Sequence, residues 1–196
     1  MKALIIVDVQ NDFLENGSLA VPNGNQIIPI INEIQNDFDL IVVTQDWHPS
    51  DHKSFAKEHP GKKEFETIDL NGLEQVLWPV HCVQGSFGAE FHQELNTNSV
   101  EAIFRKGMDP EIDSYSGFFD NGKRKNTGLF GYLKDRKVSE VFVCGLAADF
   151  CVYFTAQDAL DLGFQTTILK EATKPINEEN WKIIQKKFQE NGGEII

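Results

Sequence analysis

The sequence predicts an α/β fold, a three-layer α/β/α arrangement around a doubly wound, mostly parallel sheet. Three observations lead there. Short runs rich in Ile, Val and Leu, bounded by polar residues, recur at 3–7 (ALIIV), 40–44 (LIVVT), 101–105 (EAIFR), 140–144 (EVFVC) and 166–170 (TTILK). Near-continuous apolarity over such lengths is the pattern of strands covered on both faces. Amphipathic stretches of helical period lie between several of these runs, and repeated β-α-β order implies right-handed crossovers and hence parallel pairing. Finally, 196 residues with 41% hydrophobic content can bury one core and are few for two.

In order, the strand at 3–7 leads to a helix over 24–37 (GNQIIPIINEIQND), whose Pro29 bends or delays it, and then to the strand at 40–44. Residues 46–99 form a long connection with one short helical candidate near 73–77. It carries all five histidines, and excursions of that length in compact domains are usually binding loops or lids. The strand at 101–105, a helix over 127–136, the strand at 140–144, a helix over 149–162, the strand at 166–170 and a helix over 178–190 complete the chain. No repeat, low-complexity tract or linker-like shift divides it, so residues 1–196 read as a single domain.

Asp+Glu number 30 against 18 Lys+Arg, a net charge of −12 that repels phosphate backbones and acidic membrane surfaces. Nucleic acid and membrane are therefore excluded as expected partners. Cys82, Cys144 and Cys151 are odd in number and form no CxxC pair, which fits a reducing cytoplasm better than a disulfide framework. The opening MKALIIVDVQ is too short in apolar length for a signal segment, and no run approaches a membrane span. A soluble cytoplasmic protein is expected.

Open α/β sheets bind ligands beyond the carboxyl ends of their strands, where strand order reverses. The polar residues at those ends are Asp8, then Asp46 and His48, then Lys106, then the turn leading to Cys151. Each has an ordinary alternative: a turn aspartate, a solvated lysine, a buried apolar cysteine. Together they supply a base, a cation and a nucleophile, the set that covalent acyl transfer needs. Asp149, as N-cap or first-turn residue, places the Cys151 sulfur near the positive end of a helix dipole, where a thiolate is favoured. Cys144 reads as a buried strand cysteine, and Cys82 fits either reading.

The stretch VVTQDWHPSDHKSF (42–55) sets Asp46 and His48 two apart on extended chain, where both side chains project to one side. His52 follows a Pro-Ser-Asp turn, and His81 can be returned by the long connection. A carboxylate with two or three imidazoles suits one divalent ion: zinc, iron or manganese. The alternative is surface histidines, the reading given to His59 and His92; Asp51 reads as a turn residue or an outer partner of a ligand. Phe13, Trp78 and Tyr115 flank these segments, either as core or as stacking partners for a flat substrate.

The segments IIVDVQNDF, TQDWHPSDHKSFA, WPVHCVQGSFGAEFH, RKGMDPEIDSYSGF and GLAADFCVYFTAQDA, in this order over about residues 3–165, resemble the nicotinamidases of the isochorismatase-like cysteine hydrolase superfamily. The resemblance implies an amidohydrolase converting nicotinamide to nicotinate and ammonia in NAD salvage, with pyrazinamide as a second substrate. It makes Cys151 the nucleophile, Asp8 the proton carrier and Lys106 the supporting cation, with backbone N–H groups of Ala147 and Cys151 as the oxyanion hole. A cis Leu146–Ala147 peptide is implied as well. Asp46, His48 and His81 become ligands of a metal, zinc foremost, that binds the pyridine nitrogen; His52 is a fourth ligand in some members and not in others. Phe13, Trp78 and Tyr115 match positions around the ring. A homo-oligomer is compatible with this reading.

Departures are Ala148, where many relatives have Thr, and KEATKP (170–175) in place of an Asp-Ala-Cys-type segment. Neither position carries the implied chemistry. The nearest competing reading is a related cysteine amidohydrolase acting on a carbamoyl or ureido substrate; such relatives lack the D-x-H…H cluster. A metallohydrolase with an idle Cys151 and a non-catalytic binding protein are further alternatives, separated by whether Cys151→Ala keeps activity and whether Lys106 alters thiol reactivity.

Overall fold

The computed structural model describes residues 1–196. Its elements are β1 (Lys2–Val7), α1 (Ile27–Ile34), β2 (Leu40–Asp46), β3 (Thr67–Leu70), β4 (Leu73–Val76), β5 (Ala102–Lys106), α2 (Leu129–Asp135), β6 (Glu140–Leu146), α3 (Tyr153–Asp161), β7 (Gln165–Lys174), α4 (Glu178–Glu190) and β8 (Glu194–Ile195). Six strands form one sheet in the order β5-β2-β1-β6-β7-β8, every pair parallel. Strand order reverses between β1 and β6, so the rim there is the place where a cleft opens.

Strand pleating sends alternate residues to opposite faces, and the two cores follow it. Ala3, Ile5, Val7, Val141 and Val143 pack with Leu133, Ala156 and Phe188 of the helices on one side. Leu4, Ile6, Ile41 and Val43 pack with Ile27, Ile28 and Ile31 of α1 on the other. Burying each Val, Leu, Ile or Phe side chain among these contributes roughly 1.5–3 kcal/mol, which is why β1, apolar at five successive buried positions, anchors the sheet. No helix is long and apolar enough to cross a membrane.

The helix expected over 24–37 is α-helical only at Ile27–Ile34, with 3₁₀ turns at Gly24–Gln26 and Gln35–Asp37. Pro29 sits in its first turn, where the missing N–H has no intrahelical partner to lose. The helix expected near 73–77 is instead β4, paired antiparallel with β3. The reason is the Asn71-Gly72 turn, both residues at positive φ (54° and 82°), which closes a two-residue hairpin. A short C-terminal strand, β8, is also added beside β7.

Candidate active site

Parallel pairing brings the strand ends to one rim: Val7 is level with Thr44 and Gly145, and Asp46 with Lys106. Asp8 follows β1 at φ 48°, a left-handed conformation that aspartate tolerates better than most residues. Its carboxylate is fully buried, accepts the Thr44 hydroxyl at 2.6 Å and lies 2.9 Å from Lys106 Nζ. Gly145, at φ 107°, allows β6 to pass against β1, since a Cβ there would lie 2.1 Å from Val7 O.

Lys106 is the hub. Its ammonium contacts Asp8, Asp46 Oδ1 at 3.1 Å, the Ser114 carbonyl at 3.0 Å and Cys151 Sγ at 3.4 Å. Burial disfavours its charge, but Asp46 and Asp8 outweigh that and hold it well above the usual lysine range. Burial pushes Asp8 up, and Lys106 opposes this. A carboxylate so placed is suited to taking and returning a proton.

Cys151 stands in a π-helical turn, Ala148–Val152, that precedes α3 and follows the cis Leu146–Ala147 peptide. The expectation of a thiolate favoured by the helix end needs correcting: burial pushes the Cys151 thiol well up, and Lys106 only partly counters it. The resting group is a thiol, so a base is required. Asp149 is in the first turn, as expected, but it does not cap this helix; its carboxylate accepts Ile176 N–H at 2.9 Å and Asn177 N–H at 3.0 Å, fastening the chain after β7. Cys144 and Cys82 are buried thiols that desolvation pushes up, and Cys82 Sγ lies 3.9 Å from Gly88 O.

Asp46, His48 and His81 converge as expected. His48 Nε2 lies 3.0 Å and His81 Nε2 3.4 Å from the same Asp46 oxygen, Oδ2. Both Nδ1 atoms are committed, His48 donating to Gly107 O and His81 to Pro79 O, each at 2.8 Å. A neutral imidazole donates only once, so two such rings aimed at one buried carboxylate oxygen leave a place for a cation. The donor set therefore fits a divalent metal. His52 is adjacent, its ring centroid 4.3 Å from that of His48. His52 Nδ1 meets Ser54 Oγ at 2.8 Å and Ser54 N–H at 3.1 Å, and its buried Nε2 has no hydrogen-bond partner. Burial, with His48 next to it, depresses His52 to about 4, keeping it neutral.

His59 and His92 are half-buried rather than exposed: His59 Nε2 donates to Lys53 O at 2.7 Å, and His92 Nδ1 accepts Glu94 N–H at 3.3 Å. Asp51 is an exposed turn residue.

Phe13, Trp78 and Tyr115 do line one cavity with Cys151, Asp46 and His81. Leu19, Phe150 and Ile176 complete its apolar walls, and Asp113 adds a buried carboxylate. Trp78 meets Phe150 edge-on at 4.9 Å, and Phe150 meets Tyr115 at 5.5 Å, which leaves a slot for a flat ring. Sequence reasoning missed Asp113, although it lies seven residues after Lys106; it missed Ile176, which the pairing of β7 with β6 and the Asp149 carboxylate bring to the cavity.

Gly107 is a point of leverage. It has φ 67°, and a Cβ would lie 2.4 Å from His48 Cε1 and 2.9 Å from Asp46 Oδ1. Gly107→Ala is expected to cost at least about 2 kcal/mol through strain and clash, and to lower metal content. Denaturant midpoints and metal analysis of the purified variant check this; an unchanged metal content would mean that His48 has more room than the geometry gives.

The isochorismatase domain family matches residues 2–196. The nicotinamidase of Acinetobacter baylyi is 50% identical over 175 residues, covering 89% of this chain and 82% of the relative. The solved structure of an Acinetobacter baumanii nicotinamidase and pyrazinamidase superposes with a TM-score of 0.97 at 47% identity, covering 100% of this chain and 95% of that one. A Pyrococcus horikoshii pyrazinamidase solved in complex with zinc gives a TM-score of 0.82 at 38% identity, covering 100% and 98%. Since the match takes in every strand of the rim and every segment that loads it with side chains, the chain belongs to the isochorismatase family.

Proposed function

We infer that this chain, as one hydrolase domain, converts nicotinamide to nicotinate and ammonia through a thioester on Cys151. The observation that carries the reading is the single buried ammonium of Lys106 touching Asp8, Asp46 and Cys151 at the end of an aromatic slot. Similarity to the nicotinamidases supports the substrate. The aromatic walls beside an imidazole–carboxylate cluster favour a flat azine amide over a carbamoyl or ureido one, and pyrazinamide fits the same slot. The reaction belongs in NAD salvage, in the cytoplasm.

The neutral thiol requires proton transfer before attack. Asp8 accepts the Cys151 proton while Lys106 stabilises the charge passing between carboxylate and sulfur. Sγ adds to the carboxamide carbon, and the oxyanion is held by the N–H groups of Ala147 and Cys151. Asp8 returns the proton to the amide nitrogen as the C–N bond breaks, releasing ammonia. Water then attacks the thioester with Asp8 again as base, the C–S bond breaks, and nicotinate leaves with the thiol restored. Phe13, Trp78 and Tyr115 orient the ring.

Asp46, His48 and His81 would hold the metal, zinc by preference with iron and manganese as alternatives; when bound it supplies a fixed positive centre that orients the pyridine nitrogen. His52, beside His48 with its buried Nε2 unpartnered, is the candidate for a fourth ligand.

The test is ammonia release from nicotinamide by purified, metal-analysed protein; no release from folded, metal-replete protein rejects the substrate. His48→Ala is expected to lower metal affinity by more than the roughly 10- to 100-fold that outer partners of a ligand contribute, with KM rising. Unchanged metal content and KM would remove His48 from the site.

A further inference from the structure

The β3–β4 hairpin forms a two-stranded sheet of its own, apart from the main sheet, yet one of its side chains reaches the reaction centre through a chain of contacts. Gln75, on β4, is 2% exposed, and its Nε2 faces three acceptors: Val76 O at 2.8 Å, Asp113 Oδ2 at 3.0 Å and Tyr115 Oη at 3.1 Å. Asp113 and Tyr115 flank Ser114, and Ser114 O accepts from Lys106 Nζ at 3.0 Å. The other Asp113 oxygen accepts Ser114 N–H at 2.7 Å. One amide group, its two hydrogens shared among these acceptors, therefore contacts both neighbours of the carbonyl that fixes the ammonium: Asp113 through its carboxylate and Tyr115 through the phenol that forms an aromatic wall.

We propose that Gln75 is a positioning residue for the hydrolysis, setting the 113–115 segment so that Tyr115 closes the ring slot and Ser114 O aims Lys106 at Cys151. This rests on the nicotinamidase reading for its kinetic consequences, though not for its effect on the thiol. The physical case is the cost of the alternative. Asp113 is 3% exposed, and without Gln75 its carboxylate keeps only one backbone donor among these contacts. A buried carboxylate short of donors moves toward water or toward another donor, and the segment moves with it. Tyr115 then loses one of the restraints that set its edge against Trp78, whose ring centroid lies 6.1 Å away. Substrate fit should suffer more than the chemical step, because Asp8 and Asp46 still hold Lys106.

The experiment compares Gln75→Glu, Gln75→Leu and the double variant Gln75→Glu with Asp113→Asn, all metal-analysed. Gln75→Glu keeps the shape but sets two carboxylates face to face, whereas the double variant restores one donor and one acceptor with polarity reversed. The single variants are expected to raise KM for nicotinamide about tenfold, the factor a lost hydrogen bond to a charged group carries, with kcat changed less than about threefold. The double variant is expected to recover most of that loss. Iodoacetamide labelling of Cys151, which needs no substrate, should slow in the single variants because Lys106 is aimed less well; simple loosening of the fold would speed it. Unchanged KM and labelling in both single variants would overturn the proposal. So would faster labelling without rescue in the double variant, which would make Gln75 a packing residue. If the unsubstituted protein turned over no nicotinamide, the substrate reading would fail while the labelling comparison still decided the role of Gln75.

Discussion

Cys151→Ala is expected to reduce ammonia release from nicotinamide by at least about 10⁴-fold while leaving nicotinamide binding within about threefold, as loss of a covalent nucleophile does when the pocket stays intact. The sulfur is one atom in a cavity whose walls come from elsewhere: Phe13 before α1, Trp78 after β4, Tyr115 after β5 and Ile176 after β7. Alanine suits a helical turn, so the Ala148–Val152 turn and the Asp149 hydrogen bonds to Ile176 and Asn177 should survive. Lys106 gives up its sulfur neighbour but retains two carboxylates and the Ser114 carbonyl. Coupled ammonia detection and calorimetric titration with nicotinamide measure the two quantities. Retained turnover would transfer the chemistry to a water molecule and leave Cys151 idle. Failure to bind would make the sulfur part of the recognition surface.

Much of this site is legible without coordinates because a parallel sheet gathers its carboxyl ends. Once 3–7, 40–44, 101–105 and 140–144 are read as parallel strands, Asp8, Asp46, Lys106 and the turn to Cys151 must share a rim, and the observed register does so. Asp46 and His48 are legible as a pair because extended chain repeats every second residue. What escapes is of another kind. The Asn71-Gly72 pair is a hairpin signal, but LEQV offers too short a pattern to choose strand over helix. The Asp149 hydrogen bonds span 27 and 28 residues, and those of Gln75 span 38 and 40, so their partners emerge only from tertiary packing. The direction of the Cys151 shift escapes for a similar reason. A helix end is visible in sequence, whereas the desolvation that outweighs it depends on how completely the cavity walls close.

Lys106→Met is the substitution expected to damage both stability and reaction. One ammonium here neutralises two buried carboxylates, and removing one member of such a cluster typically costs about 3–5 kcal/mol because the remaining charges are left unpaired. With Lys106 gone, Asp46 keeps His48 and His81 nearby, and Asp8 keeps only the Thr44 hydroxyl among the partners described. Burial already pushes Asp8 up, and Lys106 is the largest influence opposing it, so the variant's Asp8 titrates higher still. The sign follows: a carboxyl that binds its proton more tightly folded than unfolded loses stability as pH rises from its unfolded value, near about 4, through its folded one. The variant should therefore fall further behind the unsubstituted protein at about pH 8 than at about pH 5, as read from denaturant midpoints of metal-replete samples. Turnover should fall by at least about 10³-fold, because a protonated Asp8 cannot take the thiol proton and the sulfur has lost its cation. The same gap between the two proteins' midpoints at both pH values would mean that Asp8 is neutral before Lys106 is removed. The proton would then have to leave Cys151 by another route.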